Sequence, residues 1–177
     1  LKPGLTAYHD ISRRLNAAME RSNRVSAQVL TETVGGRQVY LVTLTAKENA
    51  NQARRQADYR ALITEDPAAA ARDTRLAQQY KTPIFVNANI HGNEFEGTDA
   101  ALRLVEDYAT SKDPQVTQLL KRSRIHLIIS ANPDGRHDNT RRNQAGFDLN
   151  RDFVTATQPE TVAIRDAVSD WERARAD

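Results

Sequence analysis

A histidine and a glutamate three positions apart, His91 and Glu94, lie in the stretch Asn-Ala-Asn-Ile-His-Gly-Asn-Glu-Phe-Glu-Gly at positions 87–97. Neutral imidazole and ionised carboxylate are ordinary zinc ligands, and a pair on one short loop can close on a single ion. His-x-x-Glu alone is frequent by chance; position gives it weight here. The apolar run before it, 83–90, reads as a buried strand, so the pair falls at that strand's carboxyl end. Open α/β sheets build their sites there.

A second stretch points the same way. Residues 131–153 follow another apolar run, 125–131, and are dense in Arg and Asn. Guanidinium is a planar fork of donors that fits a carboxylate bidentately. Asn adds a neutral amide donor. A metal-type pair at one strand end and an anion-binding loop at another suggest a hydrolase that grips a carboxylate.

Together these stretches resemble the zinc carboxypeptidases, in His91-Gly-Asn-Glu94, Asn132-Pro-Asp-Gly135 and Asp148-Leu-Asn-Arg-Asp-Phe153. The resemblance implies that His91 and Glu94 are the first two ligands of a Zn2+ ion, and that Asn150 and Arg151 hold the substrate's free terminal carboxylate. It also implies an arginine that polarises the scissile carbonyl. Counting back from Asn150 favours Arg141 for that catalytic role; Arg142 is the alternative, otherwise a further substrate-binding cation. The likeness runs loosely from about residue 4 to the end and is specific over 83–153. What it implies is a zinc metallopeptidase that removes the C-terminal residue of a peptide, secreted or periplasmic. The fold it implies is α/β, zinc-carboxypeptidase-like (phosphorylase/hydrolase-like), with a mixed, largely parallel sheet flanked by helices.

One departure matters as much as the match. The family also uses a later histidine as third zinc ligand, and a glutamate base and a tyrosine later still. The four histidines here are His9, His91, His126 and His137, none downstream of Asn150 and Arg151. Residues 1–177 are therefore read as the N-terminal part of a single peptidase catalytic domain, expected to be inactive alone. Two alternatives stay open. One is a relative that cleaves another amide, such as peptidoglycan peptides or acylated amino acids. The other is a pseudopeptidase that binds peptides without cleaving them.

Several nearby residues have plainer roles. Asn132-Pro-Asp-Gly135 reads as a turn. Asp148 either holds the free ring nitrogen of His91 or caps its own loop. His126 reads as a core or interface histidine and His137 as an exposed one. Glu96 begins a helix, where the dipole favours an acid.

Composition narrows the classes. The 177 residues fit one domain, with 39% hydrophobic residues and a mean hydropathy of −0.67. Twenty-five basic and 23 acidic residues leave a net charge of +2, too little to favour nucleic acid. There is no cysteine, which excludes disulfides, a thiol nucleophile and a Cys-ligated metal. No apolar run approaches the roughly 20 residues of a membrane helix.

The elements that must carry these residues follow from periodicity. Residues 4–20 predict an amphipathic helix, and 24–33 with 38–46 predict a β-hairpin around Gly35-Gly36. The polar segment 47–62 reads as an exposed excursion. Asp66-Pro67 opens a helix to about Tyr80. Strand 83–90, a helix from about Glu96 to Ala109, a short helix from Asp113-Pro114, strand 124–131, the long loop and a helix over 157–171 complete the chain. Thr157 and Glu160 have capping-box spacing for the last helix. Strands alternating with helices argue for α/β.

Overall fold

The computed structural model describes residues 5–170, with side chains to residue 169. The expected limits at residue 4 and Trp171 lie outside the described residues. Helix α1 (Tyr8–Arg21) leads into a hairpin of β1 (Val25–Glu32) and β2 (Gln38–Leu44). The hairpin closes through Gly36 at φ 73°, a conformation that glycine adopts without Cβ strain. Helices α2 (Ala50–Glu65), α3 (Pro67–Ala70) and α4 (Thr74–Gln79) precede β3 (Thr82–Asn87). Helices α5 (Glu96–Thr110) and α6 (Pro114–Arg122) carry the chain to β4 (Ser123–Ile128). A short helix α7 (Pro133–Asp138), a 3-10 turn (Leu149–Arg151) and α8 (Pro159–Asp170) follow.

Two segments differ from expectation. The polar stretch 47–62 is largely helical. Its Ala, Gln and Arg are good helix formers, and Asn49 with Gln52 forms a reciprocal capping box. Its inner stripe, Tyr59 with Leu62 and Ile63, packs on Ala70, Leu76 and Tyr80. The single helix expected over 66–80 breaks in two, because Asp73 turns its carboxylate onto the N–H groups of Arg75 and Leu76 and starts a new helix.

The sheet order is β1-β2-β4-β3. It is mixed: β1–β2 and β2–β4 are antiparallel, and β3–β4 is the parallel pair. The expected parallel majority is thus confined to one of the three pairings among the described residues. A short turn can join only antiparallel strands, whereas α5 and α6 supply the crossover a parallel pair needs. Pleat alternation buries both faces. Val42, Leu44, Ile125 and Leu127 meet Ile11, Leu15, Leu102 and Val105 of α1 and α5. Val39, Leu41 and Ile128 meet Ile164 and Ala167 of α8. Strand β3 forms an outer edge, where Ile84 and Val86 remain 37% and 40% exposed.

Candidate active site

Parallel pairing puts the carboxyl ends of β3 and β4 side by side, so the loops that follow leave together. Three backbone bonds fasten them: Ala88 N–H to Ile128 O, Ala131 N–H to Ala88 O and Asn132 N–H to Asn89 O. Strand β3 stops short of the expected residue 90 because Asn89 turns left-handed, at φ 58°. Its buried amide then donates to three carbonyls of the next turn, His91 O at 2.8 Å, Gly92 O at 3.2 Å and Glu94 O at 2.9 Å. Its own Oδ1 accepts from Ser130 of the neighbouring loop at 2.7 Å. This side chain folds the His91–Glu94 turn.

The second loop is braced with equal care. Asn132 is fully buried; its Oδ1 caps α7 at Gly135 N–H and its Nδ2 donates to Arg141 O. The expected turn at 132–135 is thus the first turn of a helix. Gly92 lies directly against it: a Cβ there would sit 2.1 Å from the Gly135 carbonyl carbon and 2.4 Å from Arg136 N. Buried Arg136 donates to Phe95 O at 2.9 Å and pairs with Asp99 at 2.9 Å. It ties the end of the His91 loop to α5.

These supports bring four ionisable side chains together. His91, 8% exposed, has Nδ1 2.9 Å from Glu94 Oε1 and 3.3 Å from Arg141 Nη1. Its Nε2 lies 3.3 Å from Asp148 Oδ1. Arg141 Nε donates to Asp148 Oδ2 at 2.9 Å. Asp148 also accepts from Asn150 N–H at 3.0 Å and so caps the 3-10 turn. Of the two roles considered for Asp148, the loop cap is formed, and the approach to His91 Nε2 is a contact without a hydrogen bond. Desolvation works against its charge, but the Arg141 guanidinium and the Asn150 N–H outweigh it and hold the carboxyl below its usual range.

The arrangement fits part of a zinc site. Asp148 lies 3.3 Å from Nε2 without a formed hydrogen bond; closing that contact would select the tautomer that leaves the Nδ1 lone pair to a metal, as carboxylates beside metal-binding histidines do. Nδ1 and Glu94 Oε1 then face the same point. Among the described residues no third His, Cys, Asp or Glu completes a metal-binding group.

Asn150, Arg151 and Arg142 divide differently. Arg142 and Arg151, with Phe147, Asp148, Asp152, Thr155 and Thr157, line an open cleft of about 660 Å³. The cleft adjoins the His91 cluster through Asp148. Arg141 stays with His91, and Arg142 braces its guanidinium on Gly146 O at 2.7 Å. Asn150 is exposed on the 3-10 turn and does not line the cleft. His126 is buried in β4, with Nδ1 3.1 Å from the Thr43 hydroxyl. His137 is exposed beside Asp138, and Glu96 opens α5.

The floor of the cleft rests on Asp152. Its buried carboxylate collects Thr157 N–H, Gln158 N–H and the hydroxyls of Thr155, Thr157 and Thr161. Despite desolvation, those donors hold its pKa far below the usual carboxylate range. Asp152 thus anchors the residues just ahead of α8, and the Thr157 hydroxyl of the expected capping box donates to it.

The chain belongs to the zinc carboxypeptidase family, whose model matches residues 12–176. Mouse carboxypeptidase M is 39% identical over 95 residues, which cover 44% of this chain and 21% of that protein. Human carboxypeptidase D is 39% identical over 94 residues, covering 43% and 7%. Among solved structures, a metallo-carboxypeptidase from Burkholderia cenocepacia is 26% identical with a TM-score of 0.67, covering 89% of this chain and 36% of that one. Thrombin activatable fibrinolysis inhibitor, 16% identical with a TM-score of 0.71, shares the fold. The chain thus spans about a fifth of its curated relative carboxypeptidase M and about a third of the Burkholderia structure.

Proposed function

We propose that this chain supplies the first two zinc ligands and the carboxylate-binding wall of a zinc metallocarboxypeptidase. The observation that carries the reading is the His91 cluster: an imidazole and a carboxylate facing one point, with Asp148 on the other ring nitrogen and Arg141 alongside. When bound, zinc would activate water and polarise the scissile carbonyl. His91 Nδ1 and Glu94 would hold the ion, and Asp148 would keep the Nε2 proton in place. Arg141, 3.3 Å from Nδ1, would stabilise the oxyanion that develops on the carbonyl.

Arg151 and Arg142 would grip the free terminal carboxylate of a peptide, with Asn150 reaching in from the 3-10 turn beside the cleft, which makes cleavage exo rather than endo. The described residues hold no third ligand beside His91 and Glu94, so by themselves they should not turn substrate over. The same reading places the protein outside the cytosol, secreted or periplasmic. Among the described residues no helix is long and apolar enough to cross a membrane.

The test offers the zinc-loaded full-length gene product a chromogenic peptide with a free C-terminus and the same peptide amidated. The reading expects cleavage of the first only, abolished by chelator and by His91→Ala. Equal cleavage of both would sink the carboxylate assignment. Cleavage restricted to peptidoglycan stem peptides would favour the relative acting on another amide, and binding without cleavage would favour a pseudopeptidase.

A further inference from the structure

Glu160 has no part in the chemistry above, yet it is fully buried near the start of α8. No cation pairs with it among the described residues. Its side-chain partner is Asn143, whose Nδ2 lies 3.4 Å from each carboxyl oxygen and donates to Gln158 Oε1 at 2.9 Å. Asn143 in turn builds a tight turn. Its Oδ1 accepts from Phe147 N–H at 2.9 Å, its carbonyl accepts from Gly146 N–H, and its own N–H donates to Phe147 O. Gly146, at φ 82°, closes the turn and presents the carbonyl on which Arg142 is braced. Phe147 and Arg142 both line the cleft.

Resting on the carboxylate-cleft reading, we propose that Glu160 is a positioning residue: through Asn143 it sets the 143–147 turn, and with it Arg142 and Phe147 on the cleft wall. The route is short: buried Glu160 to Asn143, Asn143 to the Phe147 N–H, and the turn carbonyl of Gly146 to Arg142 at the surface. An exposed guanidinium on a free loop would lose rotamer entropy at every binding event. One braced in advance loses less.

The surroundings of Glu160 bias it toward the protonated form. Burial pushes its pKa up first, opposed by its own N–H and the Asn143 amide, and the charges of Asp134 and Asp152 push it up further. Asp134 on α7 is paired with Arg37, and Asp152 is held by hydroxyls and N–H groups. Neither offers Glu160 a counter-charge. Ionising it would set a third carboxylate among them, so the turn should loosen as pH rises through its titration.

The experiment is amide hydrogen exchange on the 177-residue chain, corrected for intrinsic rates, with Glu160→Ala, Glu160→Gln and a pH series. Glu160→Ala should cut protection of the Gly146 and Phe147 amides by about tenfold, the loss of roughly one net hydrogen bond. β2 and β4 amides should keep theirs. Glu160→Gln should restore the turn and remove its pH dependence. Unchanged turn protection in Glu160→Ala, or a loss spread evenly over the sheet, overturns the proposal. Should Glu160→Ala fail to fold, wild type against Glu160→Gln decides. A profile that falls with pH only in wild type supports the role, and parallel profiles refute it. Hippurate, followed by chemical shifts of Thr155, Thr157 and the Arg142 side chain, separates the two readings. A loosened turn in Glu160→Ala with no hippurate binding even in wild type supports the positioning role and fails the carboxylate reading. Equal hippurate affinity in wild type and Glu160→Ala fails the positioning role alone.

Discussion

Asp152→Asn gives the sharpest stability prediction. The wild-type carboxylate accepts from Gln158 N–H at 2.9 Å, from Thr157 N–H at 3.0 and 3.1 Å, and from three threonine hydroxyls. The amide keeps one oxygen, which can still serve Thr157. Its NH2 faces the Gln158 N–H as donor against donor. A buried group left without its partner costs about 1–3 kcal/mol, and hydrogen bonds to a charge contribute about 1.5–3 kcal/mol. The hydroxyl of Thr161 can rotate to accept, which recovers part of this. The expected loss is about 2–4 kcal/mol at pH 7. At roughly 2–4 °C per kcal/mol for this size, the melting temperature should fall by about 5–15 °C. Urea unfolding of the 177-residue chain measures the loss directly. The pH dependence has a definite sign. A carboxyl whose folded pKa is depressed contributes stability that is complete above its unfolded value, 3.8, and is lost as pH falls toward the folded one. The gap between wild type and variant should therefore be full at pH 6–7 and narrow below about 4. A gap under about 1 kcal/mol at neutral pH, or one unchanged down to pH 3, would refute the idea that these donors stabilise a charge.

Asn89→Ala removes the donor to three carbonyls and leaves Ala at φ 58°; denaturation should show a loss of about 2–4 kcal/mol. Asn89→Gly, free of the backbone strain but lacking the amide donor, should recover part of the stability and none of the zinc affinity, as read by calorimetry. Gly92→Ala places a methyl 2.1 Å from backbone that has no flexible end to yield, so it should cost about 3 kcal/mol or more, seen as poor soluble expression or a lowered unfolding midpoint. Arg136→Met removes the donor to Phe95 O, Thr6 O and Asp99, while Asp99 keeps Thr6 and nearby Arg14, and should destabilise by about 1–3 kcal/mol. The same denaturation series measures it.

The element sequence was legible because apolar periodicity is strong in α1, the hairpin and the runs before both loops. What stayed hidden was mostly tertiary. The helix α2 looked like a polar excursion because its buried stripe is narrow and includes Gln56, which a hydropathy pattern cannot register. The break at Asp73 was signalled by an Asp followed by Thr, a capping sequence masked by the alanine run before it. Strand pairing depends on which edges meet, and no local pattern reports that.

At the site, His91, Glu94, Arg141, Arg142 and Arg151 were visible through type and spacing. The structure gathers the first three in one cluster and sends the other two to the adjoining cleft. Asn89, Asn143 and Asp152 were not singled out, and Glu160 only as a helix-capping residue. Each acts through backbone groups or through a neighbour distant in sequence. Asn89 lay within the stretch that drew attention, and an Asn just past a strand end, able to turn left-handed, was the one available sign.

The central claim is that His91, through Nδ1, is a zinc ligand with Glu94 beside it. The direct measurement is nitrogen NMR of the histidine rings while zinc is added to the chain. The account predicts that His91 Nδ1 shifts as the metal binds while Nε2 keeps its proton toward Asp148, and that Glu94→Gln weakens the response. Zinc that leaves His91 unchanged, or that engages Nε2, would contradict it.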